Sequence, residues 1–317
     1  MIRTDLAFPG GHFINPTVYN SLVGLHGITM IVAMIIVATG PFGNYIMPIM
    51  IGARDMAFPR LNALSWWVLF TAIPVLCSAW FLGGIPTGWT AYAPLSLQAG
   101  PGMNSFIATI IIFAVSTSVA GANITATVVA MRTKGMKWNR VPIFVIGATI
   151  SVALAIPAFP TFMLSQIQTA MDRMFATGFY DAHQGGSGWL YAHLFWIMGH
   201  PEVYVILLPG VAILMELTPV FVRKPLFSYN AAVLGFAGIA GLSVLVWAHH
   251  MYIAGWSPAL NGPFMVTTEM ISVPTGLLFL VLLGTLWRGR PWMKVPMLGT
   301  FAMLWNFIIG EIGRAHV

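Results

Sequence analysis

The chain has 317 residues, of which 58% are hydrophobic and only 7% are charged. A soluble domain carries about 25% charged residues, so this composition excludes a soluble protein and predicts one that crosses a membrane several times. The net charge of +6 does not indicate a nucleic-acid partner, because the basic residues fall in short loops between apolar runs. A single cysteine, Cys77, excludes a disulfide framework and a cysteine metal site.

Eight apolar runs are long enough to cross a hydrocarbon core, which takes about 20 residues. They lie near residues 19–50, 63–84, 104–131, 141–168, 188–216, 228–255, 265–286 and 293–311. The first run exceeds one crossing and is expected to extend beyond the lipid. We therefore predict an all-α polytopic transmembrane bundle of about eight spanning helices, in a single domain over residues 1–317.

The basic residues predict the orientation of this bundle. Eleven of the 14 Lys and Arg residues follow the first, third, fifth and seventh runs, while the intervening loops carry only Arg173. The eleven are Arg54, Arg60, Arg132, Lys134, Lys137, Arg140, Arg223, Lys224, Arg288, Arg290 and Lys294. Because short basic loops stay in the cytoplasm, we predict a multi-pass protein of the inner (plasma) membrane with these loops on its cytoplasmic side.

The fifth run contains an unusual polar stretch, His200-Pro201-Glu202-Val203-Tyr204. Ionisable groups at membrane depth are costly, and they are usually paired, lining a cavity or functional. His200 and Tyr204 are four residues apart and share one helix face. The alternative is a kinked helix at Pro201 whose polar groups satisfy one another within the bundle.

The sixth run ends in a second polar stretch, Trp247-Ala248-His249-His250-Met251. Together with His200 it supplies three imidazoles, a ligand set that suits copper, zinc or iron. Adjacent residues on a regular helix point about 100° apart. His249 and His250 can therefore bind one metal only if the helix end is distorted, or if one of them serves another purpose. Counted along their spans, these histidines and His26 all fall in the outer half of the membrane.

At these motifs the sequence resembles subunit I of the heme-copper oxygen reductases, in the A-type branch that is similar to cytochrome c oxidase. The resemblance extends from about Leu6 to Ile309. Besides the two histidine motifs, it is carried by Phe42-Gly43-Asn44, Ile51-Gly52-Ala53-Arg54-Asp55-Met56-Ala57-Phe58-Pro59-Arg60 and Pro274-Thr275-Gly276.

The resemblance implies the catalytic subunit of a respiratory terminal oxidase that reduces O2 to water and translocates protons. His200, His249 and His250 would ligate copper B. Tyr204 would be covalently joined to His200 and would donate a proton and an electron to oxygen. The implied cofactors are copper B, a low-spin heme and a high-spin heme. The implied partners are subunits II and III and an electron donor, cytochrome c or quinol, within a lipid bilayer.

The resemblance also implies a proton route from the cytoplasm, with Asp55 at its mouth and Glu202 as the gate at its end. Five further residues at the family's positions would order its water chain: Asn44, Asn62, Ser116, Thr117 and Asn123. Taken singly, each of the five is more often a packing or capping residue. As a set, their hydroxyl and amide groups favour the proton route.

Two residues match the family's low-spin heme region. His26 matches an axial ligand of that heme, although a lone histidine in an apolar helix is more often a core residue. Trp89 matches the family's heme-edge loop, and its alternative role is an aromatic anchor at the membrane interface. We expect His12, His183 and His193 to be structural.

Leu278 stands where the best-known branch of the family carries the lysine of a second proton route. This departure puts that route in doubt. Glu269 is an unusual acid within a span, and it is a candidate substitute for the lysine or a partner for a neighbouring group.

The resemblance further implies that the chain corresponds to spans two to nine of a twelve-helix subunit. Some of the heme ligands would then lie outside this sequence. Residues 311–317 depart abruptly from the family pattern, so we expect a non-native tail there and assign no role to His316.

Two other functions compete with the oxidase. A proton-coupled transporter without redox metal would leave the adjacent His249-His250 pair unexplained. A nitric oxide reductase of the same superfamily is disfavoured by Glu202, Tyr204 and the Asp55 route. For the electron donor we favour cytochrome c, because Val18 and Ser21 occupy the positions where quinol-using relatives carry His and Gln.

Overall fold

A computed structural model describes residues 1–8, 10, 13–40 and 42–315, without the side chains of 34–39 and 311–315. It contains twelve α-helices within the described ranges, joined by one π-helical and four 3-10 segments. The α-helices are α1 (Ile2–Leu6), α2 (Pro16–Thr39), α3 (Met47–Ile51), α4 (Pro59–Phe81), α5 (Leu95–Gln98), α6 (Gly102–Ala130), α7 (Ile143–Phe175), α8 (Gly188–Val222), α9 (Tyr229–Ser243), α10 (Asn261–Met270), α11 (Ser272–Leu286) and α12 (Val295–Ala315). No strand occurs in these ranges, which confirms the predicted all-α class. His12 and His316 lie outside the described residues.

Five helical segments of the described chain are long and apolar enough to cross a membrane. They are α4, α6, α7, α8 and the segment Pro258–Leu286, in which a 3-10 turn leads into α10 and α11. Shorter apolar helices cover Phe42–Ile51, Tyr229–Ser243 and Val295–Gly310. The structure thus confirms a polytopic helical membrane bundle.

Two predicted spans are not continuous helices. The run at 19–50 is interrupted, because α2 ends at Thr39 and is followed by a π-helical turn, Phe42–Ile46, and by α3. Gly40 and Pro41 follow Thr39 in the sequence, and both residue types disfavour a helix interior. The run at 228–255 is likewise not one continuous α-helix, because α9 ends at Ser243 and a 3-10 segment, Trp247–Met251, follows it.

The core is formed mainly by α6, α7 and α8, while α4 lies at the periphery. Helix α7 packs along both α6 and α8, and α4 packs on the other side of α6. The large buried side chains Phe113, Phe159, Phe162 and Phe195 come from the three central helices. Burying such rings contributes much of the packing energy of a helical bundle.

The four basic loops lie together at one end of the bundle, which we call the basic end. The backbone N–H of Thr133 donates to Ile51 (2.9 Å) and links the first two basic loops. The hydroxyl of Tyr229 lies 2.8 Å from the carbonyl oxygen of Val141. The ammonium of Lys224 donates to the carbonyl of Trp287 at 2.6 Å and links the last two loops. The alternation seen in the sequence therefore corresponds to two distinct ends.

The opposite end carries the long connection between α4 and α6. The guanidinium of Arg173, near the end of α7, donates to carbonyl oxygens of this connection, including those of Ser96 (2.6 Å) and Ala99 (2.8 Å). The hydroxyl of Tyr191 donates to Thr90 at 2.8 Å. A connection with little regular secondary structure is thus held against α7 and α8, and it brings Trp89 and Tyr92 over the helix ends.

Candidate metal centre

Helix α8 positions three of the predicted site residues. His200, Glu202 and Tyr204 are all buried, with 5%, 4% and 8% of their surface exposed. The rings of His200 and Tyr204 have centroids 5.0 Å apart, as their spacing of one helical turn predicts. Pro201 lies within the helix without ending it.

The 3-10 segment Trp247–Met251 positions the other two histidines. A 3-10 helix turns by about 120° per residue, against about 100° in an α-helix, so its winding alone does not align two adjacent side chains. The rings of His249 and His250 have centroids 4.3 Å apart. Both therefore face the same space beside α8.

The three imidazoles converge on one point. His200, His249 and His250 each offer a ring nitrogen within 4.8 Å of the other two. Nδ1 of His200 and Nε2 of His250 lie 3.3 Å apart. The ring centroids of His200 and His249 are separated by 4.5 Å. Three neutral imidazoles in this arrangement form a donor set that suits copper.

A threonine determines which nitrogen of His249 faces the cluster. The hydroxyl of Thr268 lies 2.9 Å from Nδ1 of His249 and donates its own proton to the carbonyl oxygen of Phe264 at 2.6 Å. Because that hydroxyl proton is used, Nδ1 of His249 carries the hydrogen and donates it to Thr268. The lone pair of the ring is then on Nε2, as a metal ligand requires.

Trp196 forms the wall behind His250. The two rings are stacked, with centroids 3.7 Å apart and planes within 3°. The indole N–H of Trp196 donates to the hydroxyl of Tyr92. Burial raises the pKa of the Tyr92 phenol above its ordinary value, so that hydroxyl stays protonated at neutral pH.

A second tryptophan fixes the start of the 3-10 segment. The indole N–H of Trp247 donates to Nδ1 of His193 on α8 at 3.2 Å. His193 is held in turn by Trp189, with ring centroids 4.3 Å apart. The structure thus places the His193–Trp247 hydrogen bond beside the histidine cluster.

Thr268, Trp196 and the partner of His193 were not predicted from the sequence. Trp196 precedes His200 by four residues, so helical spacing could have placed it on the same face. Thr268 offers no such signal, because its partner His249 is 19 residues away on another element.

Trp89 lies between His26 and the cluster wall, with its ring centroid 6.2 Å from that of Trp196. His26 is exposed on α2 in the described chain. A Cβ atom placed on the adjacent Gly27 would lie 3.3 Å from the Trp89 side chain. Trp89 also packs against Phe195, with ring centroids 5.3 Å apart. The loop that carries Trp89 therefore covers α2 next to His26.

The predicted proton-route residues lie between α3, α4 and α6. Asp55 is exposed at the basic end, and its carboxylate accepts the N–H of Met56 at 2.7 Å. Asn123 accepts from the N–H of Phe58 (2.9 Å) and donates to its carbonyl (3.2 Å). The hydroxyl of Ser116 donates to the carbonyl of Ser65 at 2.7 Å. Both buried residues therefore join α6 to α4, and Thr117 is half-buried one position further on.

The other two predicted amides, Asn44 and Asn62, differ from these. The side-chain oxygens of Asn44 and Asn62 are buried, and neither has a hydrogen-bond partner among the described residues. A buried amide oxygen that lacks a partner is costly, and water is the usual partner at such positions.

Leu278 and Glu269 have different surroundings. Leu278 is buried and packs directly against Gly235, where α11 meets α9. Glu269 is exposed on α10, next to Thr268. His183, which is exposed, follows Asp181 in a loop at the opposite end, and its N–H donates to that carboxylate.

Comparisons with known proteins agree with this geometry. The family model described as "Cytochrome C and Quinol oxidase polypeptide I" matches residues 1–313. Cytochrome c oxidase subunit 1 of Bacillus subtilis (strain 168) is 39% identical over 313 residues, which cover 98% of this chain and 50% of that protein. Quinol oxidase subunit 1 of the same strain is 38% identical over 316 residues, covering 98% and 49%.

A probable quinol oxidase subunit 1 of Staphylococcus haemolyticus is 37% identical over 315 residues, covering 98% and 48%. The chain thus spans about half the length of the curated relatives it matches. The chain belongs to the cytochrome c and quinol oxidase polypeptide I family, subunit I of the heme-copper oxidases, whose members bind hemes and copper B.

Proposed function

We propose that the whole protein is the catalytic subunit of a respiratory terminal oxidase that reduces O2 to water and translocates protons. The observation that carries this proposal is the convergence of His200, His249 and His250 within 4.8 Å. The curated relatives are named as cytochrome c and quinol oxidases, so a nitric oxide reductase is not favoured. A transporter without redox metal has no use for three converging imidazoles.

The three histidines would hold copper B through neutral ring nitrogens, and Thr268 would keep His249 in the tautomer that a metal requires. Bound there, copper with a neighbouring high-spin heme supplies the redox centre at which oxygen is reduced. Tyr204 lies one turn from His200 and would deliver the proton of its phenol to this centre. Its covalent bond to His200 stays a prediction, which the ring separation of 5.0 Å supports by proximity.

His26 would bind the low-spin heme on the exposed face of α2. Its position supports this role, because the Trp89 loop packs on Gly27, next to the ligand. When bound, the heme would supply electron-transfer chemistry, and Trp89 would pack beside the residue that holds it. The remaining heme ligands would come from the half of the subunit that this chain does not span.

Protons would enter at Asp55 from the basic end and reach Glu202. The buried amide oxygens of Asn44 and Asn62 support this route, because each needs a donor that a water chain supplies. Asn123 and Ser116 would hold the walls of the route in place. Glu202 would carry the proton, since it is buried two residues from His200.

We propose that subunits II and III complete the enzyme in the plasma membrane, with the basic end in the cytoplasm and cytochrome c as the electron donor. Val18 and Ser21 favour cytochrome c, because they replace the His and Gln that quinol-using relatives carry. The names of the relatives do not decide between the donors, since they include a cytochrome c oxidase and a quinol oxidase.

The test uses the full-length protein in its complex. Metal analysis should find copper and two hemes, and reduced cytochrome c should support oxygen uptake better than quinol does. His200→Asn should abolish copper binding while the low-spin heme spectrum stays intact. His183→Asn, at an exposed loop histidine, is the matched control and should leave copper content unchanged. A wild-type complex that lacks copper would contradict the proposal.

A further inference from the structure

An apolar groove of about 600 Å³ lies between α7 and α9 at the basic end. Its walls are almost wholly hydrocarbon and aromatic: Trp138, Ile146, Ile150, Tyr229, Val233 and Leu234. Asn139 and Asn230 provide polar groups at the same site. A volume in this range suits a small-molecule or lipid chain. Leu234 is 66% exposed, so the groove opens on the side of the bundle.

A basic turn is fixed at the mouth of this groove. The hydroxyl of Tyr229, which lines the groove, lies 3.0 Å from the carbonyl oxygen of Trp138 and 2.8 Å from that of Val141. These contacts hold the 3-10 turn Trp138–Arg140 against the start of α9. Lys137, just before the turn, and Arg140, at its end, are therefore kept close to the groove.

These two cations have no carboxylate partner among the described residues. Both are exposed. Arg140 lines a second groove that shares Asn139 and Tyr229 with the first, and Glu216 lines that groove too. The Glu216 carboxylate already accepts the N–H of Phe144 at 3.0 Å. The guanidinium of Arg132 also lies 3.8 Å from the centre of the Trp138 ring. A single engaged carboxylate therefore does not balance the positive charge at the rim.

We propose that this groove binds an anionic glycerophospholipid of the membrane leaflet at the basic end. One acyl chain would lie along Ile146, Ile150 and Val233, and the phosphate would contact Lys137, Asn139 and Arg140. Basic pockets between transmembrane helices on the cytoplasmic side recognise anionic headgroups, and a tryptophan such as Trp138 favours the depth of the lipid headgroups. The proposal does not depend on the oxidase activity.

The test measures lipid retention by the intact complex. The complex is reconstituted in nanodiscs of phosphatidylcholine with a minor fraction of phosphatidylglycerol, and native mass spectrometry counts the phospholipids that stay bound. We expect one phosphatidylglycerol per complex. Lys137→Gln with Arg140→Gln should weaken its binding about thirty-fold, the change expected for two interfacial cations. Arg288→Gln with Arg290→Gln removes the same charge from another basic loop and should have no effect.

A second pair of variants tests the groove itself. Val233→Trp fills it, and Ile150→Phe fills it less severely; both should release the lipid while the charges are unchanged. A photoactivatable benzoylphenylalanine in place of Leu234 should attach to phospholipid on irradiation.

Three results would overturn the proposal. If all variants retain phosphatidylglycerol equally, the groove is not the binding site. If phosphatidylcholine is retained as well as phosphatidylglycerol, the headgroup charge does not contribute to binding. Crosslinking of position 234 to a polypeptide would show that protein, not lipid, covers the groove.

Discussion

The hydroxyl of Thr268 accepts from His249 and donates to Phe264, so one side chain sets the tautomer of one ligand. A ligand imidazole usually depends on such a contact for its orientation and basicity. Neither the hydrophobic pattern nor the histidine motif points to this threonine, which lies on α10.

We expect Thr268→Val in the full-length protein to weaken copper binding about 10- to 100-fold, the range for loss of an outer-shell partner. Valine keeps the shape but removes the hydroxyl, so Nδ1 of His249 loses its acceptor. Copper content against a competing chelator measures the effect. Thr268→Ser restores the hydroxyl and should recover most of the affinity; equal losses in both variants would show that packing, not the hydrogen bond, matters.

At the scale of elements, the break after Ser243 decides the geometry of the cluster. The chain leaves α9 there, and the segment Trp247–Met251 packs on α8 with the indole N–H of Trp247 donating to His193. Trp247 and two of the three ligands, His249 and His250, lie within this segment of five residues.

We expect His193→Leu to loosen this segment and lower copper occupancy, because the Trp247 indole N–H loses its acceptor. His193→Asn offers a side-chain oxygen close to the original Nδ1 and should recover occupancy. X-ray absorption at the copper edge, which counts imidazole ligands, measures the change. Trp247→Phe should add little to His193→Leu if the two residues act through one hydrogen bond. If the losses of copper occupancy in the two variants add, the two residues act independently and not through this hydrogen bond.

At the scale of the whole molecule, all four basic loops lie at one end and the Trp89 loop at the other. The alternation of charged and uncharged loops along the sequence thus corresponds to two ends of the bundle. From the positive-inside rule we expect the basic end to be cytoplasmic.

Cysteine labelling tests the orientation in a Cys77→Ser background. We expect Lys134→Cys to react with a membrane-impermeant maleimide only after the cells are permeabilised, so that the reagent reaches the cytoplasmic side. Gln98→Cys, in the α4–α6 connection, should react from outside in intact cells, because both side chains are exposed at opposite ends. Labelling of both positions from one side would contradict the topology.

The proton supply is a further property of the whole molecule. Leu278 is buried against Gly235, so its apolar side chain makes a dry contact between α9 and α11. Since no lysine stands there, we expect Asp55→Asn in the full-length oxidase to slow proton uptake in both the reductive and the oxidative phase. Time-resolved uptake with a pH dye measures each phase.

The rival to this single route is Glu269, which lies exposed on α10. If Asp55→Asn leaves proton uptake in the reductive phase intact and Glu269→Gln then removes that uptake, Glu269 is the relay of a second route. Glu269→Gln alone should have no effect if Asp55 serves both phases.

The sequence alone predicts the class of the fold, because membrane crossing depends on composition over about 20 residues and on the charges of short loops. The motifs also single out the three histidines and Tyr204 without any knowledge of their contacts. Asp55 can likewise be identified from its motif, while its role in a proton route stays a prediction.

The convergence of the ligands was decided by tertiary structure. His200 and His250 are 50 residues apart, and their meeting depends on where α9 ends and how the next segment packs on α8. Hydropathy is continuous through that break, so it could not reveal it. The contacts of Thr268, Trp196 and His193 were beyond prediction for the same physical reason: a hydrogen bond or a stacked ring depends on positions set by packing between helices, whereas hydropathy depends only on neighbours along the chain.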